Sequence, residues 1–196
     1  MTVFSLRGKL EQRRSTRPSH LSLRLDLNMS SLQYLSAYSP SLQKQIAQLI
    51  EHGDLTNYLM RKYPNVHNVP NDNALRDHVI ELKNQYMKKS QPLSKVLFDK
   101  KIHVVDNALG LHSFVSRVQG GKLKSKNEIR ISTLFKNTPL DFLNMIVVHE
   151  LAHLKEKAHN KAFYQLCCHM LPDYHQIEFD VRVYLTHLDL IGAVYE

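Results

Sequence analysis

His149, Glu150 and His153 stand in VVHELAHL, the most apolar stretch of this 196-residue chain. Histidines four apart share one face of a helix, so both imidazoles can meet a single ion. Glu150, next to the first of them, projects beside that ion, near enough to touch a water held there without being a ligand. Polar groups inside so apolar a helix are costly unless something satisfies them. A metal ion does.

A tetrahedral hydrolytic site takes three protein ligands and keeps its fourth position for water. His159, six residues past His153 where the helix should end, is the expected third ligand; His169 and His175, on the next two segments, are the alternatives. Three neutral imidazoles and one water suit zinc, one ion per chain. Zinc brings the pKa of its water from about 15.7 toward about 7, and Glu150 then serves as general base. A further donor to the developing oxyanion is expected, with Tyr174 or His175 as the choice.

The elements that must hold these residues are mostly helices. Thr138-Pro139-Leu140-Asp141 reads as a helix start, with Thr138 as cap, Pro139 in the first turn and Asp141 closing a capping box. The helix behind it is apolar on nearly every side, as a helix buried all round must be. Asn160 opens the next helix, which stops before Pro172, and a last helix covers about 173–188. Upstream, Ser39-Pro40 starts a helix that Gly53 ends. A short helix follows over 55–61, and a third starts at Asn71 or Asp72 with Leu75, Val79, Leu82 and Tyr86 on one face. Between the two helical regions, 102–107, 111–118 and 127–133 are short and rich in β-branched residues, and Gly120-Gly121 supplies a turn. The expected fold is α+β: mainly helical, with a small antiparallel sheet beside the active-site helix. Residues 1–25 read as a flexible basic extension, 26–92 as a helical region and 93–196 as the metal-site domain, the last two forming one unit.

Composition excludes several classes. With 43% hydrophobic and 22% charged residues the chain is not a disordered one. No apolar run approaches the roughly 20 residues that span a bilayer, and the basic N-terminus lacks the apolar core of a secretory signal. A cytoplasmic protein without membrane association is the expectation. Cys167 and Cys168, adjacent in a helix, point apart and read as packed thiols. The net charge of +8 is held entirely by residues 1–30 and 117–130. The second segment, with Arg117, Lys122, Lys124, Lys126 and Arg130, is a candidate surface for phosphates or nucleic acid.

The stretch VVHELAHLKEKAHNKAFYQLCCHMLPDY resembles the YgjP-like metallopeptidase domain, a zincin-like relative of the SprT-like and WLM metalloproteases. The likeness rests on His149-Glu150-Leu151-Ala152-His153, on His159 with Lys161-Ala162-Phe163 behind it, and on Leu171-Pro172-Asp173-Tyr174. It implies His149, His153 and His159 as metal ligands and Glu150 as catalytic base. The family's usual Trp-Gly-Ser-Cys stretch is missing: the chain has no Trp, and FVSRVQGG stands where that stretch would align.

Three functions fit these residues. The leading expectation is a zinc metallopeptidase acting on peptides or proteins. The same site, with the basic hairpin 117–130 holding phosphates, would instead cleave a nucleotide or phosphoanhydride. A binding module with structural zinc and a nucleic-acid or protein partner is the third, and an intact Glu150 speaks against it.

Overall fold

The computed structural model describes the backbone of residues 29–102, 110–119 and 122–195, and the side chains of 32–102 and 127–195. The expected extension 1–25 lies outside these residues, as does the expected strand 102–107 beyond Ile102. A 3-10 segment, Met29–Leu35, leads into α1 (Pro40–Glu51), α2 (Leu55–Lys62) and α3 (Asp72–Tyr86). Side-chain caps set two of these starts: Ser39 Oγ accepts from Leu42 N, and Asn71 Oδ1 from Ala74 N at 3.0 Å. Gly53, at φ +72°, takes the left-handed conformation that closes α1.

Three strands follow, β1 (Leu93–Asp99), β2 (Gly110–Gln119) and β3 (Lys122–Ser132), in the order β1-β3-β2. β2 and β3 form the expected antiparallel hairpin, with Phe114 opposite Asn127 and Arg117 opposite Lys124. β1, however, runs parallel to β3, setting Val96 beside Ile129 and Phe98 beside Ile131. The sheet is therefore mixed, where the sequence predicts a purely antiparallel one. Its third strand is 93–99, a segment without clean alternation because the register shifts between Leu93 and Lys95.

A second 3-10 segment, Thr133–Asn137, turns the chain from β3 into α4 (Leu140–Ala152), which is followed by α5 (Lys161–Met170) and α6 (Tyr174–Leu190). The capping box expected at the start of α4 does not form. Pro139 occupies the cap position, and the buried Thr138 hydroxyl donates instead to the Phe135 carbonyl at 3.1 Å. Asp141 remains in the first turn, where the helix dipole favours a negative charge. α4 is the axis of the core: Phe142, Leu143, Met145, Ile146, Val147 and Leu151 are all fully buried. Each such side chain contributes about 1.5–3 kcal/mol. The same apolar cluster takes in Leu55, Leu59 and Leu75 of the upstream helices, Ile129 and Ile131 of β3, and Val181 of α6. No described helix is long and apolar enough to cross a membrane.

Candidate metal centre

The last turn of α4 carries His149 and Glu150, and His153 is its C-terminal cap. The chain then loops back through 154–160 before Asn160 caps α5, its Oδ1 accepting from Phe163 N at 2.9 Å. That return brings His159 to the other two histidines. His159 Nε2 stands 3.2 Å from His149 Nε2 and 3.1 Å from His153 Nε2. Ligands of a tetrahedral ion held at about 2.0–2.1 Å stand about 3.3 Å apart, so the three nitrogens already have the spacing that a metal ion requires. Among the described residues they are the one such group of three histidine, cysteine or acidic side chains.

The outer nitrogens explain why these lone pairs converge. His153 Nδ1 faces the Glu156 carbonyl at 2.9 Å. A carbonyl only accepts, so the proton is on Nδ1 and Nε2 keeps its lone pair. His149 Nδ1 lies 2.8 Å from the Tyr174 hydroxyl, which also reaches the buried Cys167 thiol. A chain from His149 Nδ1–H to Tyr174 and on to sulfur satisfies all three groups and again leaves Nε2 bare. Burial holds the His149 pKa down to about 3, with His153 and His159 adding to the effect, and burial also lowers that of His159. The His149 and His159 rings are thus neutral near pH 7, the state that binds a cation. Burial pushes the Tyr174 hydroxyl far up and the Cys167 thiol to about 12, so both stay protonated.

Glu150 is 2% exposed, adjacent to His149 on α4. Tyr174, expected to face the reacting oxygen, is fully buried with its hydroxyl on the outer nitrogen of His149. His175, in the first turn of α6, is exposed, its ring 5.3 Å from Tyr164 and its Nδ1 3.9 Å from Glu178. His169 is apart from the trio and packs edge-on against Tyr86 of α3 at 5.6 Å. From the basic stretch 117–130, Arg130 is tied to Asp99 at 3.0 Å and to Glu128 at 3.1 Å; the side chains of 117–126 lie outside the described residues.

Two residues to which the sequence assigns no part in the site support it. Phe163, fully buried, sets its ring 4.7–5.0 Å from all three imidazoles. Cys167, one helical turn on, meets Tyr174. The signal was there: 163 and 167 are four apart, as two residues must be to share the face of α5 turned to α4.

Comparison with known proteins decides the family. The model of the YgjP-like metallopeptidase domain matches residues 50–182. This chain belongs to the YgjP-like family. It is also 57% identical over 162 residues to a UTP pyrophosphatase of Escherichia coli (strain K12), an alignment that covers 83% of this chain and 97% of that protein. No solved structure matches the chain significantly. Both the family's description and the relative's name are those of hydrolases, and with the histidine trio they make this chain a member of a metal-dependent hydrolase family.

Proposed function

We propose that the chain hydrolyses nucleoside triphosphates, UTP foremost, at the phosphoanhydride bond whose cleavage releases pyrophosphate. The observation that carries this reading is the histidine trio beside Glu150, in a chain that aligns over 83% of its length with a protein named for such a reaction. Zinc is the ion that three neutral imidazoles suit best. When bound, it polarises the reacting oxygen and draws the pKa of water toward about 7.

The chain's own residues supply the rest. Glu150 takes the proton of the attacking water and returns it to the departing phosphate oxygen. Tyr174 and the Glu156 carbonyl fix the tautomer of two ligand rings, and Phe163 packs beneath them. Tyr174 is thus a positioning residue, leaving the charge that develops on the substrate to other groups. The peptidase reading has one structural support: β2 is an edge strand packed against α4, an edge to which an extended peptide could add.

The test is the zinc-loaded protein given UTP, the other nucleoside triphosphates and a denatured protein substrate, with pyrophosphate and new peptide termini both measured. UTP is expected to give UMP and pyrophosphate. Glu150→Gln should keep one metal per chain while slowing that release about 10²–10⁴-fold. Peptide cleavage without pyrophosphate release would overturn the reading in favour of the peptidase. Loss of metal from Glu150→Gln would make the carboxylate a ligand and not the base.

A further inference from the structure

A cleft of about 530 Å³ lies between the turn that joins α3 to β1 and the residues that follow the end of α4. Ligand sites run from roughly 300 to 1,000 Å³, so it can take a nucleotide-sized group. Its lining includes Lys88, Lys89 and Lys155 and no acidic residue. Lys83 stands behind the same wall. It is 5% exposed, and its ammonium donates to the carbonyl of Ser90, a residue of the lining, at 3.3 Å.

Among the described residues none of these four lysines makes an ion pair, whereas Lys62, Arg130 and Arg182 each do. Concentrated, uncompensated positive charge repels itself and raises the local concentration of anions. A buried ammonium satisfied by one carbonyl adds to that cost. The turn is also held in shape: Ser90 N and Ser90 Oγ both donate to the Met87 carbonyl, at 2.8 and 2.6 Å. Lys88 and Lys89 therefore project from a fixed backbone.

The position of the cleft matters most. Leu154 and Lys155 line it, and His153 immediately precedes them. Two residues of chain span at most about 7 Å, so the backbone that carries Lys155 starts no farther than that from the backbone of His153. Tyr86, also in the lining, packs on His169 of α5 and closes the cleft on that side.

Resting on the proposed nucleotide chemistry, we propose that this lysine cleft is the pyrophosphate subsite: it holds the β- and γ-phosphates while the α-phosphorus lies at the trio. Water oxygen bonds to the α-phosphorus as the bridging oxygen leaves with the β-phosphate. Glu150 receives the water's proton and passes it to the departing pyrophosphate. Lys88, Lys89 and Lys155 stabilise the charge that collects there, and the site selects triphosphates over monophosphates.

Binding of inorganic pyrophosphate, UTP and UMP to metal-loaded Glu150→Gln protein, by calorimetry, tests this without turnover. Adding Lys88→Gln, Lys89→Gln and Lys155→Gln should weaken pyrophosphate and UTP about 10-fold or more for each lysine that holds a phosphate. UMP affinity and metal content should not change. Replacing the same three lysines by arginine, which keeps the charge, should preserve most of the pyrophosphate affinity and shows that the fold tolerates change there. Pyrophosphate binding unaltered by the glutamine set overturns the assignment, whether or not UTP is a substrate. A parallel loss of UMP overturns it too, since the lysines would then act on the α-phosphate. If wild-type protein leaves UTP intact, the functional reading fails, and the pyrophosphate titration still judges the cleft by itself.

Discussion

Tyr174 shows what a single hydroxyl contributes to a metal centre that it does not touch. Between His149 Nδ1 and the Cys167 thiol it completes a chain of donors whose effect is to leave His149 Nε2 unprotonated. Partners of this kind typically change metal affinity by 10–100-fold. Tyr174→Phe removes the oxygen and keeps the ring, so the buried volume is conserved. The variant should fold normally and bind zinc 10–100-fold more weakly, read by competition with a chromophoric chelator. Equal affinity in the two proteins would make Tyr174 a packing residue alone. The convergence of the three histidines was legible in the sequence because four-residue spacing on one helix, plus one return of a short loop, is local information. Tyr174's partner was not, because the contact depends on how α6 docks against α4.

Among the elements, α6 and α2 are tied together most densely at one buried carboxylate. Asp180, fully buried, accepts from Tyr58 and Tyr63 hydroxyls at 2.7 Å each, from Lys62, and from Gln176 at 3.2 Å. Removing the carboxylate leaves two tyrosines and an ammonium facing a void. Asp180→Ala should cost about 3 kcal/mol, roughly ten degrees in Tm for a chain of this size, with metal content unchanged. A loss below about 1 kcal/mol in thermal unfolding would mean that the donors find other acceptors. At this scale the sequence was readable where side chains cap helices, as Ser39, Asn71 and Asn160 do. It misled where a second local acceptor competed: Thr138 gives its hydroxyl to the carbonyl of Phe135, three residues back in the preceding 3-10 segment, and not to the helix it precedes. β1 was invisible because the register shift after Leu93 breaks the alternation that marks a strand. The lysine cleft joins residues of the α3–β1 turn to residues beyond α4, a juxtaposition that no local pattern carries.

The whole molecule should be sensitive to mild acid. His67 donates through Nε2 to the Phe135 carbonyl and accepts from Val69 N at Nδ1; His187 meets the Gly192 carbonyl through Nδ1 and the Thr56 hydroxyl through Nε2. Each ring uses both nitrogens in the neutral form, and burial lowers both pKa values from 6.5. The unfolded chain therefore binds more protons than the folded one once pH drops below 6.5. Their stabilising effect is complete above that pH and declines as pH falls from it toward the lower folded values. The melting temperature of chelated protein, which sets ion loss aside, should drop by several degrees between pH 7 and pH 5; a flat profile would show that these rings accept a proton without losing their partners. The centre itself spans little chain: His159 meets His149 and His153 across separations of ten and six residues, whereas Asp180 reaches its helical partners across 117 to 122. Closing a short loop costs little entropy, and contacts of low sequence separation form early. The metal-binding hairpin of α4 and α5 is thus equipped to assemble, and to capture its ion, before α2 has docked onto α6.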